Sequence, residues 1–175
     1  MLDDGKEVFL KDGSRVLISK YKVEDFEKLV EMYASLDKEA LKWGLPPYDR
    51  ERITRWIQDL ENNIILVARL HDKIIGHCGV HIVLHHIQYK GKSDFGIYVH
   101  QDYQDKGLGT IMTSMAISLA RERGLHRIEL SVVADNKKAI HVYEKVGFKI
   151  EGIQKEAYYG EEGKYHDITI MGLLL

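Results

Sequence analysis

Val99-His100-Gln101-Asp102-Tyr103-Gln104-Asp105-Lys106-Gly107-Leu108-Gly109-Thr110 is the stretch on which the reading of this chain turns. An apolar β-type segment, Phe95 to Val99, runs into a polar turn with two glycines and then into a helical pattern from Thr110 to Arg123. A strand that opens through glycines into a helix leaves backbone N–H groups unpaired. It also aims the positive end of the helix dipole at one point, which suits a pyrophosphate. Taken alone, Gly-x-Gly at a helix start is equally an ordinary strand-to-helix turn. Position 112 is Met, so the Gly-x-Gly-x-x-Gly dinucleotide fingerprint is incomplete, and no Gly-Lys-Ser/Thr follows to make a P-loop.

Outward from that turn, the chain reads as one α/β domain over residues 1–175. Glu7 to Leu10 and Arg15 to Lys20 read as strands joined at Asp12-Gly13. Val23 to Leu41 has helical apolar spacing and is stopped by Pro46-Pro47. Asp49 caps a helix from Arg50 to Leu60 with Ile53, Trp56, Ile57 and Leu60 on its inner stripe. Strands follow at Ile64 to Leu70, Lys73 to Leu84 and Lys92 to Val99, and beyond the helix at His126 to Val133. Asn136 to Val146 is a helix closed by Gly147. Phe148 to Tyr158 and Lys164 to Leu174 make a last pair around Gly160–Gly163. The order predicts a mixed, mainly antiparallel sheet flanked by about four helices.

Composition narrows the partners. Hydrophobic residues make up 45% and charged residues 30%, as in a soluble globular domain. A net charge of −2 carries no basic footprint for nucleic acid. One cysteine, Cys78, allows no intrachain disulfide and fits a reducing compartment. Met1 to Lys6 lacks the features of a signal peptide, and no apolar run reaches membrane-spanning length, so a cytoplasmic location is expected. The apolar run Met171–Leu175 fits either the core or a subunit contact, which leaves a homodimer open.

A second block follows the glycine turn: Asn136-Lys137-Lys138-Ala139-Ile140-His141-Val142-Tyr143-Glu144-Lys145-Val146-Gly147-Phe148. Together the two blocks resemble the GNAT superfamily of N-acetyltransferases. Its acyl-CoA motif, Gln/Arg-x-x-Gly-x-Gly/Ala, is met by Gln104, Gly107 and Gly109. Its second signature, Asn-x-x-Ala-x-x-x-Tyr-x-Lys-x-Gly-Phe, is met by Asn136, Ala139, Tyr143, Lys145, Gly147 and Phe148. The tail, Glu151-Gly152 with Tyr158, Gly163–Asp167 and Met171, is similar to the spermidine and ribosomal-protein branches.

The resemblance implies that the strand ending at Val99 splays from the strand beginning near His126. Acetyl-CoA as co-substrate would then lay its pantetheine along the free edge at Tyr98 and Val99. Its pyrophosphate would rest on amides of Gln104, Asp105, Lys106, Gly107, Leu108, Gly109 and Thr110, where glycine lets backbone approach closely. Tyr143 corresponds to the family's general acid, and its helix position equally suits a core aromatic. Asn136 either contacts pantetheine, caps its helix, or does both. Neutralising a lysine-like amine at pH 7 costs roughly 4–5 kcal/mol, so a base is useful. Asp94 and Glu129 are the two candidates, and either is also readable as a solvated cross-strand carboxylate. Glu39, Trp43 and Tyr48, with Asp37, fall in the segment that shapes the acceptor site in relatives, where aromatics and carboxylates suit a cationic amine. His77, His81, His85 and His86 invite a metal, but Cys78 points to the opposite face from His77 and no metal is expected.

The expected activity is transfer of acetyl to a primary amine, with polyamine-like or amino-acid-derived acceptors first and protein N-termini second. A non-catalytic acyl-CoA sensor is the alternative of a different kind.

Overall fold

The computed structural model describes residues 5–83 and 89–175. Eight strands form a single sheet: β1 (Lys6–Phe9), β2 (Arg15–Lys20), β3 (Ile64–Leu70), β4 (Lys73–Ile82), β5 (Lys92–Val99), β6 (Arg127–Val133), β7 (Lys149–Tyr159) and β8 (Tyr165–Leu174). Their spatial order is β1-β2-β3-β4-β5-β6-β8-β7. Neighbours are antiparallel except β5 and β6, which run parallel. That exception follows from the connection: a helix, α4 (Leu108–Glu122), carries the chain back over the sheet between them.

Each face has its own core. On one side α4 and α5 (Lys137–Lys145) cover Leu66, Cys78, Val80, Phe95, Ile128 and Met171. On the other, α1 (Phe26–Ala34) and α3 (Arg50–Trp56) cover Ile65, Val67 and Ile74, with Leu29, Tyr33 and Ile53 pointing inward. Covered on both faces, the middle of β4 is buried without alternation, from Ile74 to Val80.

Two helical expectations are corrected. The helix foreseen over Val23–Leu41 breaks into a 3₁₀ turn at Val23–Asp25, α1, and a one-turn α2 (Lys38–Leu41). Side chains compete with the backbone there. The Ser35 hydroxyl donates to the Met32 carbonyl (2.8 Å), and the Asp37 carboxylate restarts the chain by accepting from the Ala40 amide (2.8 Å). Beyond Trp56 the helix foreseen to Leu60 does not continue. Asp59 adopts φ 57° and Leu60 is exposed rather than on the inner stripe. Other boundaries agree within a residue or two. The expectation for Leu84 falls outside the described residues, as do His85 and His86.

Met171 is fully buried and Leu175 packs on the core, while Leu174 is exposed. No helix among the described residues is long and apolar enough to cross a membrane.

Phe148 joins the two halves of the α5 face, 1% exposed, with its ring 6.4 Å from that of Phe95 and 5.9 Å from that of Tyr143. Phe148→Ala is expected to lower unfolding stability by about 3–5 kcal/mol in urea titration. A loss under about 1 kcal/mol would contradict the packing.

Candidate active site

The glycine turn is built as a rigid shelf. His100 donates its amide to the Ile75 carbonyl (3.0 Å), and a 3₁₀ turn at Gln101–Tyr103 follows. The Gln104 side chain then reaches back and donates to the Val99 carbonyl (3.0 Å). From outside, the Lys11 amide donates to the Lys106 carbonyl (3.0 Å), and the Lys106 ammonium lies 2.9 Å from Asp12. The hydrogen bond from Lys106 holds the Asp12 carboxyl down to about 2. Lys138 on α5 pairs with Asp105 at 2.8 Å.

The two glycines serve different needs. Gly107 sits at φ 90°, a left-handed backbone that disfavours a side chain, and it caps α4. Gly109 has no such backbone demand. Among the described residues a Cβ there would meet only Val99 Cγ2, at 4.0 Å, so the space beside the first turn is open. The amides of Leu108, Gly109 and Thr110 belong to that first turn and have no partner within their own helix.

Below the shelf the sheet parts. β5 and β6 share only three residue pairs, Lys92–Arg127, Ser93–Ile128 and Asp94–Glu129. β6 is meanwhile paired along its whole length with β8. The expected splay is therefore present. The bonds from His100 to Ile75 and from Val83 to Lys92 set the parity of the β4–β5 ladder: even-numbered residues of β5 bond β4. Ile97 and Val99 present backbone groups to the gap, whereas those of Tyr98 are engaged with β4. The edge expected at Tyr98 and Val99 is thus shifted, with Ile97 in place of Tyr98. A one-residue change of register is invisible to composition because it alters only which edge a group faces.

At the vertex of the splay lies a cavity of about 390 Å³ lined by Asp94, Phe95, Glu129, Leu130, Ser131, Gln154 and Ile170. Both candidate bases reach it, in different surroundings. Glu129 is held by Lys92 (2.6 Å) and Arg127 (3.3 Å). Asp94 is pushed above the usual carboxylate range by partial burial and by the neighbouring Glu129 carboxylate. Tyr143 is buried on the opposite face, edge-on to Phe95 at 6.2 Å, and burial pushes its phenol well up, so it keeps its proton at neutral pH. The Asn136 side chain accepts from the Ala139 amide (3.2 Å) as a helix cap.

A family model described as "Acetyltransferase (GNAT) family" matches residues 29–148, more than half of the chain. The chain belongs to the GNAT family. It is 27% identical over 159 residues to L-amino acid N-acetyltransferase AaaT of Escherichia coli, covering 90% of this chain and 97% of that protein. Spermidine N(1)-acetyltransferase of Vibrio cholerae is 29% identical over 139 residues, covering 75% and 78%. The structure of yncA from Salmonella typhimurium with its cofactor acetyl-CoA superposes with a TM-score of 0.77 at 22% identity, covering 91% of this chain and 94% of that one. With this family comes acyl-CoA-dependent N-acetyltransferase activity.

The side chains expected to shape the acceptor site in this GNAT protein are packed among aromatic rings. Tyr48 sits with Tyr33, Trp56 and Tyr98, ring centroids 5.0–5.5 Å apart, and its hydroxyl meets that of Tyr98. Tyr33 also bonds His77 Nδ1 (2.9 Å), and burial pushes that imidazole down to about 3. Trp43 packs on Tyr158 and His166 at 6.5 and 5.2 Å. Glu39, by contrast, is exposed in the first turn of α2 and does not line the cavity. Cys78 faces the α4 core, its thiol pushed up to about 12 by burial. No group of three or more potential metal ligands comes together among the described residues.

One contact had no sequence signal. The Tyr158 hydroxyl lies 2.8 Å from the Gly44 carbonyl and 3.0 Å from that of Lys42, fastening the segment after α2 to the β7–β8 hairpin. His166 tightens the same corner, 2.6 Å from both Asp135 and Glu162. These hydrogen bonds, Asp135 foremost, raise its pKa above the usual value. A raised folded pKa contributes stability fully below the unfolded value, near ~6.5, and loses it as pH rises through the folded one. The stability difference between the wild type and His166→Gln, measured by urea titration, should therefore be largest at acid pH and shrink as pH rises. A difference independent of pH would contradict the ion pairs.

Proposed function

We propose that this protein acetylates the primary amine of a small molecule, polyamine-like or amino-acid-derived, using acetyl-CoA. One observation carries the choice of a small acceptor: the Tyr158 hydroxyl bonded to the Lys42 and Gly44 carbonyls. A peptide entering beside Trp43 needs an open groove between that segment and the Gly160–Gly163 hairpin, and this contact bridges it. The amino-acid and spermidine acetyltransferases among the relatives agree with a small amine.

The residues present fit the coenzyme. The unfilled volume beside Gly109 and the first-turn amides of α4 are shaped for a pyrophosphate, with Gln104 to Thr110 forming the shelf. From Val99 to Phe95 is about 13 Å of strand, over which Ile97 and Val99 would bond the pantetheine arm as an added strand edge. Asn136, at the turn that leads from β6 into α5, is assigned to contact that arm. The coenzyme supplies a thioester carbonyl for the amine and a thiolate leaving group. At the vertex, Asp94 draws the ammonium by charge and takes its proton, directly or through water. Its raised pKa brings it nearer the working pH, which favours that role. Glu129, held by Lys92 and Arg127, adds negative potential without needing to move a proton. Tyr143, protonated and pressed against Phe95, donates to the departing sulfur from the other face.

Gly109→Val is expected to abolish the rise in Tm caused by CoA while leaving the Tm of the free protein unchanged, since the protein itself leaves that space empty. An undiminished rise would overturn the shelf. Tyr143→Phe should lower kcat by about 10²-fold or more with coenzyme affinity nearly kept. Thiol release from acetyl-CoA across polyamines, amino acids and N-terminal peptides tests the acceptor class. Turnover confined to peptides would overturn the small-amine reading, and coenzyme binding without turnover on any amine would make the protein a sensor.

A further inference from the structure

The sheet face beneath α1 and α3 has a gap in its side-chain cover. On that face β5 carries Asp94, Gly96 and Tyr98, and the register sets them opposite His81, Gly79 and His77 of β4. Two glycines thus confront each other mid-ladder. Glycine inside a strand weakens it, and it marks a bulge, a bend, or the close approach of a ligand or another backbone. At Gly96 the protein supplies none of its own reasons. The register runs unbroken, φ is not positive, and a Cβ would touch nothing within 4 Å among the described residues. Gly79 differs, since a Cβ there would meet His81 Nε2 at 2.7 Å, so the His81 ring already lies over it.

The opening therefore stands above Gly96, between the Asp94 carboxylate and the Tyr98 ring, with Tyr48 and Trp56 behind the latter. His77, next along β4 on this face, is fully enclosed, and its Nε2 has no hydrogen-bond partner among the described residues. Residues two apart on a strand face are separated by about 7 Å. An ammonium resting on Asp94 consequently places the next two or three carbons of its molecule over Gly96. A bare linear chain would leave that volume unfilled, whereas an apolar group would meet aromatic walls on its far side.

We propose that the opening over Gly96 is a specificity pocket for the acceptor, receiving a bulky apolar substituent, aryl or branched alkyl, within two or three carbons of the primary amine. This rests on the transferase reading and narrows it toward arylalkylamines and apolar amino-acid derivatives, away from linear polyamines. Gly96 bonds β4 and not the splay, so filling the position leaves the coenzyme edge intact.

The test compares wild type, Gly96→Ala and Gly96→Val in acetyl-CoA assays with propylamine, putrescine, phenethylamine and leucine amide. Wild type should favour the two bulky amines. Gly96→Val should cut kcat/KM for them at least tenfold relative to propylamine, and Gly96→Ala should cut it by less. Tm should not fall, and coenzyme affinity, read by calorimetry, should stay within twofold. An unchanged ratio in Gly96→Val, or a wild-type preference for putrescine or propylamine, overturns the pocket alone. A loss of coenzyme affinity in Gly96→Val overturns it too, by placing residue 96 on the wrong side. Coenzyme binding with no turnover on any amine overturns the transferase reading and the pocket with it.

Discussion

Everything in this molecule depends on a parallel strand pairing that stops early. β5 and β6 begin as neighbours and separate after three residue pairs, while β6 stays fully bonded to β8. Ending a ladder inside a sheet leaves backbone polar groups without partners, which is costly unless something else satisfies them. The structure concentrates that deficit at one edge, at Ile97 and the amide of Val99, whose carbonyl the Gln104 side chain satisfies. It places an unpaired helix start above the edge and two carboxylates and a phenol around its lower end. The incomplete sheet thus gathers the open backbone groups, the helix start and the titratable side chains around one gap.

Two separate cores keep the parted strands from closing. The α4 and α5 side buries Phe95, Tyr143 and Phe148 together, so the Tyr143 phenol and one lip of the gap belong to the same packed unit. The α1 and α3 side is an aromatic assembly closed by Tyr158 and His166. Charge follows the same division. The titratable groups at the vertex lie on the face of α1 and α3, and the phenol and Cys78 on the other are kept neutral by burial.

How much of this was legible depends on how local each signal is. The glycine turn and the helix expected over Asn136 to Val146 are written in contiguous residues, and both formed where the pattern placed them. The Asn136 cap, one of the two readings of that residue, was equally local. The helix over Val23–Leu41 was misread because Ser35 and Asp37 act through their side chains, an effect hidden by an unbroken apolar period. Tyr98 was placed on the wrong edge because ladder parity depends on β4. The Tyr158 bond to Gly44 spans 114 positions, and no local pattern reports a contact of that range. Gly96 was silent, since an absent side chain acquires meaning only once its neighbours are known.

The insertion of β8 between β6 and β7 has a consequence for assembly. Hairpin partners meet early because little chain entropy opposes them, and β7 with β8 is such a pair. β6 has no comparable neighbour: its full-length partner is β8, reached only across α5 and β7. The far wall of the cleft therefore waits on the slowest kind of pairing, a non-local one. Without the docked hairpin β6 lacks its full-length partner, and the free edge of β5 faces an unsupported wall.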